Sequence, residues 1–203
     1  AAIEVILIPQ RLRMYGLSHS DALSLYGIFT GMALPCILFP STVASSASAI
    51  LMPSVAEMQA LGYRKRIHHI TERTCAACIF FGFLCTLIFY FSGPCAGAIL
   101  FHSTGAGLYI RTLSFICPFL YTNIALSSIL NGLGKTGITL IHSILGILLR
   151  ISFVLFAIPS IGMRGYLYGL LLSEITLSIL HIYALYRSNK PHKISRMPID
   201  NVF

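Results

Sequence analysis

Apolar residues run in long blocks along this chain, and most charges fall between the blocks instead of alternating with them. The blocks lie near residues 25–51, 74–91, 111–130, 136–158 and 165–186. An α-helix rises 1.5 Å per residue, so about 20 apolar residues cross a hydrocarbon core of about 30 Å. The pattern therefore predicts an all-α protein, a polytopic transmembrane helical bundle with five full spans. The opening stretch AAIEVILIP is apolar for about half a span and predicts the end of a helix that starts before Ala1. It has neither the charged region nor the small-residue cleavage site of a signal peptide. The bundle thus occupies residues 1–186, and residues 187–203 form a basic, polar tail.

Prolines and glycines punctuate these blocks. Pro35 and Pro40 sit inside the first full span and predict helix kinks, because proline lacks a backbone donor. Hydroxyls in the following run (Ser41, Thr42, Ser45, Ser46, Ser48) can take up the freed carbonyl groups, and small residues let helices approach closely. Ser92-Gly93-Pro94 predicts the end of the second full span, with a short amphipathic or re-entrant piece running on to Gly107. Asn131-Gly132-Leu133-Gly134-Lys135 predicts a tight helix-to-helix reversal, and Pro159 to Gly165 predicts another.

Composition sharpens the picture. Hydrophobic residues make up 56% of the chain and charged residues 10%, with a mean hydropathy of +0.82. Soluble domains carry about 25% charged residues, so too little polar surface exists here to cover a water-soluble bundle. The net charge of +8 resides in residues that flank apolar spans, which fits orientation and anionic headgroups rather than nucleic acid. With loops alternating sides, one side carries Arg64, Lys65, Arg66, Arg73, Lys135, Arg187, Lys190, Lys193 and Arg196. The other carries Arg11, Arg13, Arg111 and Arg164. The positive-inside rule puts the first set, and the C-terminal tail, in the cytoplasm.

Chemistry is sparse. Arg150 and Glu174 are ionisable residues deep within neighbouring spans, where a charge is costly and faces a cavity or a partner. Both lie roughly 12–14 Å below the end marked by Ile158 and Gly165, at matching depth. They can form a structural ion pair or a cavity site for an anionic headgroup. His181 follows Glu174 by two turns on the same face and reads as a packing or interfacial histidine. The run Asn131 to Thr136 lacks the first glycine of a phosphate loop, with Ile129 in its place. His68 and His69 are adjacent and face different ways, Cys75-Ala-Ala-Cys78 has no second pair of ligands, and the acidic residues are scattered. No metal, no cofactor and no enzymatic activity are expected.

Several stretches resemble the stage V sporulation protein B family of the multidrug/oligosaccharidyl-lipid/polysaccharide exporter superfamily. They are Ile8-Pro9-Gln10-Arg11-Leu12, Tyr26-Gly27, Thr30-Gly31-Met32-Ala33-Leu34-Pro35, Phe39-Pro40-Ser41 and Leu51-Met52-Pro53-Ser54-Val55-Ala56-Glu57, then Ile129 to Lys135 and Ile158 to Gly162. The resemblance implies a two-lobed exporter in which this chain is the second six-helix lobe, its first helix truncated and its N-terminal lobe missing. It implies a flippase for a lipid-linked oligosaccharide or peptidoglycan precursor in a bacterial cell membrane, serving spore cortex or cell wall. The expected partners are membrane lipids, the lipid-linked sugar substrate and the missing lobe. A cation-coupled drug antiporter of the same superfamily, or a membrane scaffold for envelope assembly, are the competing readings.

Overall fold

A computed structural model describes residues 2–189, which form helices joined by short turns, with no strand among them. Helix α1 is Ala2–Met14. Helix α2 is His19–Leu38, started by Ser18, whose hydroxyl accepts from the Asp21 amide. Helix α3 is Ser41–Ala60 and α4 is Arg64–Phe101. Helix α5 is Thr104–Gly132, with one 3₁₀ turn at Ser114–Ile116 ahead of Pro118. Helix α6 is Thr136–Phe156, and after a single turn at Ile158–Ile161 the chain returns as α7, Met163–Asn189. The tail from residue 190 onward lies outside the described residues.

Five of these helices (α2, α4, α5, α6 and α7) are long and apolar enough to cross a membrane. They divide by environment. Helix α5 is the central one, with 67% of its apolar window buried, whereas α4 and α6 bury 17% each. Phe80, Phe91 and Phe156 lie about three-quarters exposed on those outer helices, as lipid-facing side chains do. The protein is a multi-pass membrane protein.

Helices α2 and α3 together form one broken span that follows α5 from end to end. Phe29 packs edge-on against Tyr109. Further along, the Tyr121 hydroxyl donates to the Ile37 carbonyl at 3.0 Å and the Ser128 hydroxyl to the Ser48 carbonyl at 2.6 Å. The break has a local cause. A π-helical turn at Phe29–Ala33 precedes Pro35, and Pro40 stands between the two helices. The Ser41 and Thr42 hydroxyls donate to the carbonyls of Leu38 and Phe39 at 2.6 and 2.7 Å, so the groups released there stay bonded.

The expected break at Ser92-Gly93-Pro94 does not occur. Helix α4 passes through Pro94 and continues to Phe101, and the reversal comes at His102, in the left-handed conformation with φ of 49°. Tertiary packing overrides the local signal. Gly93, Pro94 and Gly97 lie directly against Gly107, so close that a Cβ on Gly97 would overlap the Gly107 backbone. These small residues hold α4 and the start of α5 together where proline alone would end the helix.

Two clusters form the core. The larger gathers Ile8, Leu12, Phe29, Ile37, Ile110, Tyr121, Val154 and Tyr166 toward the Gly165 end. The smaller gathers Val55, Ile67, Leu126, Ile129, Leu130 and Leu185 toward the Arg64 end.

Candidate functional site

Helices α6 and α7 run antiparallel in one register: Phe153 lies against Gly169, Gly146 against Leu177, and the His142 ring 5.0 Å from that of His181. In this register Arg150 falls opposite Ser173, one residue from Glu174. The two charges are level in the bundle but lean to opposite flanks of the seam.

Arg150 turns toward α1. Its Nε lies 3.6 Å from Oε1 of Glu4, with the Arg150 side chain 27% exposed and that of Glu4 12%. Glu174 turns toward α5. There Nδ2 of Asn123 donates to a Glu174 carboxylate oxygen at 2.8 Å and to the Glu174 backbone carbonyl at 2.9 Å. The Ser178 hydroxyl donates to Oδ1 of Asn123 at 2.8 Å, which fixes the amide from its other end. Asn123, Glu174 and Ser178 are all buried.

The structure thus separates the residues that depth alone would pair. Arg150 and Glu174 form no ion pair with each other. Each heads its own polar cluster, Glu4–Arg150 on one side of α7 and Asn123–Glu174–Ser178 on the other. The physical reason is rotation: equal depth fixes height along a helix, whereas the flank fixes the partner. Sequence reasoning missed Glu4 and Asn123 as members of the site. Both carry a signal, a polar side chain within an apolar stretch, which in a membrane points to a partner.

A third polar feature lies nearer the Arg64 end. His181 is 4% exposed and His142 9%, and neither ring nitrogen of His181 has a hydrogen-bond partner. Pro35 and Pro40 lie in the broken span of α2 and α3 and not among these polar residues. Among the described residues, no group of three or more His, Cys, Asp or Glu side chains is arranged to hold a metal ion.

The arrangement can bind or balance charge inside a membrane; no nucleophile and base stand together in it. Comparison with known proteins finds similar chains among sporulation proteins. Stage V sporulation protein B of Bacillus subtilis (strain 168) is 24% identical over 180 residues, covering 88% of this chain and 35% of the relative. Over most of its own length the chain is similar to this sporulation protein. Sporulation protein YkvU of the same organism is 25% identical over 192 residues, covering 93% of this chain and 43% of that protein. The chain therefore spans well under half the length of these curated relatives. No family model matches it, and no solved structure matches it significantly.

Proposed function

We propose that this chain is part of a membrane flippase that moves a lipid-linked oligosaccharide or peptidoglycan precursor across the bilayer for spore-cortex or cell-wall synthesis. The single observation that carries this reading is the Glu4–Arg150 pair, level with Glu174, inside a bundle related to sporulation proteins. A charge at the centre of a membrane helix is expensive and is kept where it faces a partner or a transport path. Arg150 would meet the pyrophosphate of the substrate, and Glu4 would hold the guanidinium when the substrate is absent. The rest of the longer protein would complete the cavity, and movement of one helix bundle against another would expose it to either side. The protein acts in this reading without covalent chemistry, with the Arg64 end and the tail in the cytoplasm. Membrane lipids, the lipid-linked sugar and the remaining lobe are its partners.

One observation favours a second reading. Glu4 and Glu174 place two carboxylates at about the level of Arg150, and carboxylates in the bundle suit a cation-coupled antiporter.

The test is complementation. The full-length parent gene is deleted and restored as wild type, Arg150→Ala or Arg150→Glu, with protein abundance checked. Loss of cortex with lipid-linked precursor accumulating on the cytoplasmic side at normal protein level is the expected result. Normal cortex in every strain, the deletion included, overturns the flippase reading and moves attention to drug efflux.

A further inference from the structure

At the Arg64 end of the bundle, a groove of about 650 Å³ opens between the first turns of α4 and the last turns of α7, floored by Leu126 of α5. Its walls are apolar: Leu126, Ile182 and Leu185, with Cys75 on the α4 side. Its mouth carries Arg64 and Lys65, both exposed. Among the described residues neither has an ion-pair partner. Glu72, one turn before Cys75, is engaged by His68, whose Nε2 lies 3.2 Å from the carboxylate.

The polarity is ordered along the helix. From Arg64 to Cys75 is about 16 Å, and over that length the lining passes from the cations Arg64 and Lys65, through the paired His68 and Glu72, to apolar side chains. The cationic end is where α4 leaves the apolar span, and the apolar end reaches toward hydrocarbon. A soluble anion would have no use for the apolar depth, and an apolar helix would have none for the cations. An amphiphile with a phosphate at one end and a hydrocarbon chain at the other matches both.

We propose that this groove is a binding site for an anionic glycerophospholipid. Its phosphate sits between Arg64 and Lys65, and an acyl chain lies along Leu126, Ile182 and Leu185. The long stems of the arginine and lysine let their charges follow the phosphate within the headgroup layer. The site is separate from the Glu4–Arg150 and Asn123–Glu174 clusters and does not depend on what the protein transports.

The experiment uses the full-length parent protein in mixed nanodiscs of phosphatidylglycerol and phosphatidylethanolamine, with retained lipid counted by native mass spectrometry. Wild type is expected to retain phosphatidylglycerol preferentially. Arg64→Glu with Lys65→Glu is expected to reduce that retention roughly tenfold or more. Ile182→Trp, which fills the groove and leaves the charges in place, is expected to reduce it as well. Arg73→Glu, on the same helix but outside the groove, is expected to leave it unchanged. Equal retention of both lipids by wild type overturns the proposal. So does an equal loss in the Arg73 variant, which would mark diffuse attraction to the surface. Unchanged retention in Ile182→Trp also overturns it, since the groove would then be filled by another part of the longer protein.

Discussion

One amide of Asn123 bridges the backbone carbonyl and the carboxylate of Glu174, at 2.9 and 2.8 Å. It ties the central helix α5 to α7 at the level where α6 presents Arg150. The tie is internally complete, because the Ser178 hydroxyl occupies the other end of the amide. Hydrogen bonds to a charged group in such surroundings contribute about 1.5–3 kcal/mol.

Removing the donor should therefore cost stability. Asn123→Leu leaves the Glu174 carboxylate buried without its hydrogen bond and is expected to destabilise the full-length protein by about 2 kcal/mol. Thermal melting in detergent measures this. Combining it with Glu174→Met should recover much of the loss, because two apolar groups replace a satisfied pair at little net cost. If the double variant melts no higher than Asn123→Leu, Asn123 and Glu174 are not energetically coupled.

The Glu4–Arg150 pair permits a double-mutant cycle. Removing one partner of a partly buried pair strands a charge, with a cost of up to about 3–5 kcal/mol for a fully buried pair. Glu4→Gln and Arg150→Met are each expected to lower stability, and together to lower it by less than the sum. Additive effects would show that the 3.6 Å approach carries no coupling.

His181 supplies the opposite sign. Both ring nitrogens are buried and unbonded, and an unmade hydrogen bond costs about 1–3 kcal/mol per group. His181→Leu is expected to hold or raise the melting temperature. A clear fall in melting would mean that the imidazole is engaged in a way its surroundings do not reveal. Loss of transport with melting unchanged would give the residue a functional role.

Close helix approach gives a packing prediction. Gly169 lies against the Phe153 side chain, with no space for a Cβ between them. Gly169→Val is expected to destabilise by about 1–3 kcal/mol through overpacking of the α6–α7 seam. Phe153→Ala in the same chain should relieve part of that, which melting of the single and double variants will read.

The membrane-crossing helices were legible because an apolar block of some twenty residues has few other uses. The matching height of Arg150 and Glu174 along their two helices was legible too, by counting residues from Ile158 and Gly165. The facing of Arg150 and Glu174 was not, since a shift of one residue turns a helix by about 100° and changes the neighbour. Two further features escaped for the same reason, that they depend on contacts distant in sequence. Glu4 meets Arg150 across 146 residues of chain, and Asn123 stands in a largely apolar stretch as a lone amide. The Ser92-Gly93-Pro94 signal failed in the other direction: it is a genuine helix breaker, overruled by the Gly97–Gly107 contact.

Helix α4 is 38 residues long, about 57 Å, while the hydrocarbon core is about 30 Å thick. The basic stretch from Arg64 to Arg73 is consequently the rigid end of a membrane-crossing rod and not a slack tether beside it. A rod transmits rotation. When α4 tilts within the bilayer, its overhang sweeps through the headgroup layer in proportion to its length. A small change in helix packing near Gly97 is thereby converted, by leverage alone, into a larger displacement of charge at the far surface.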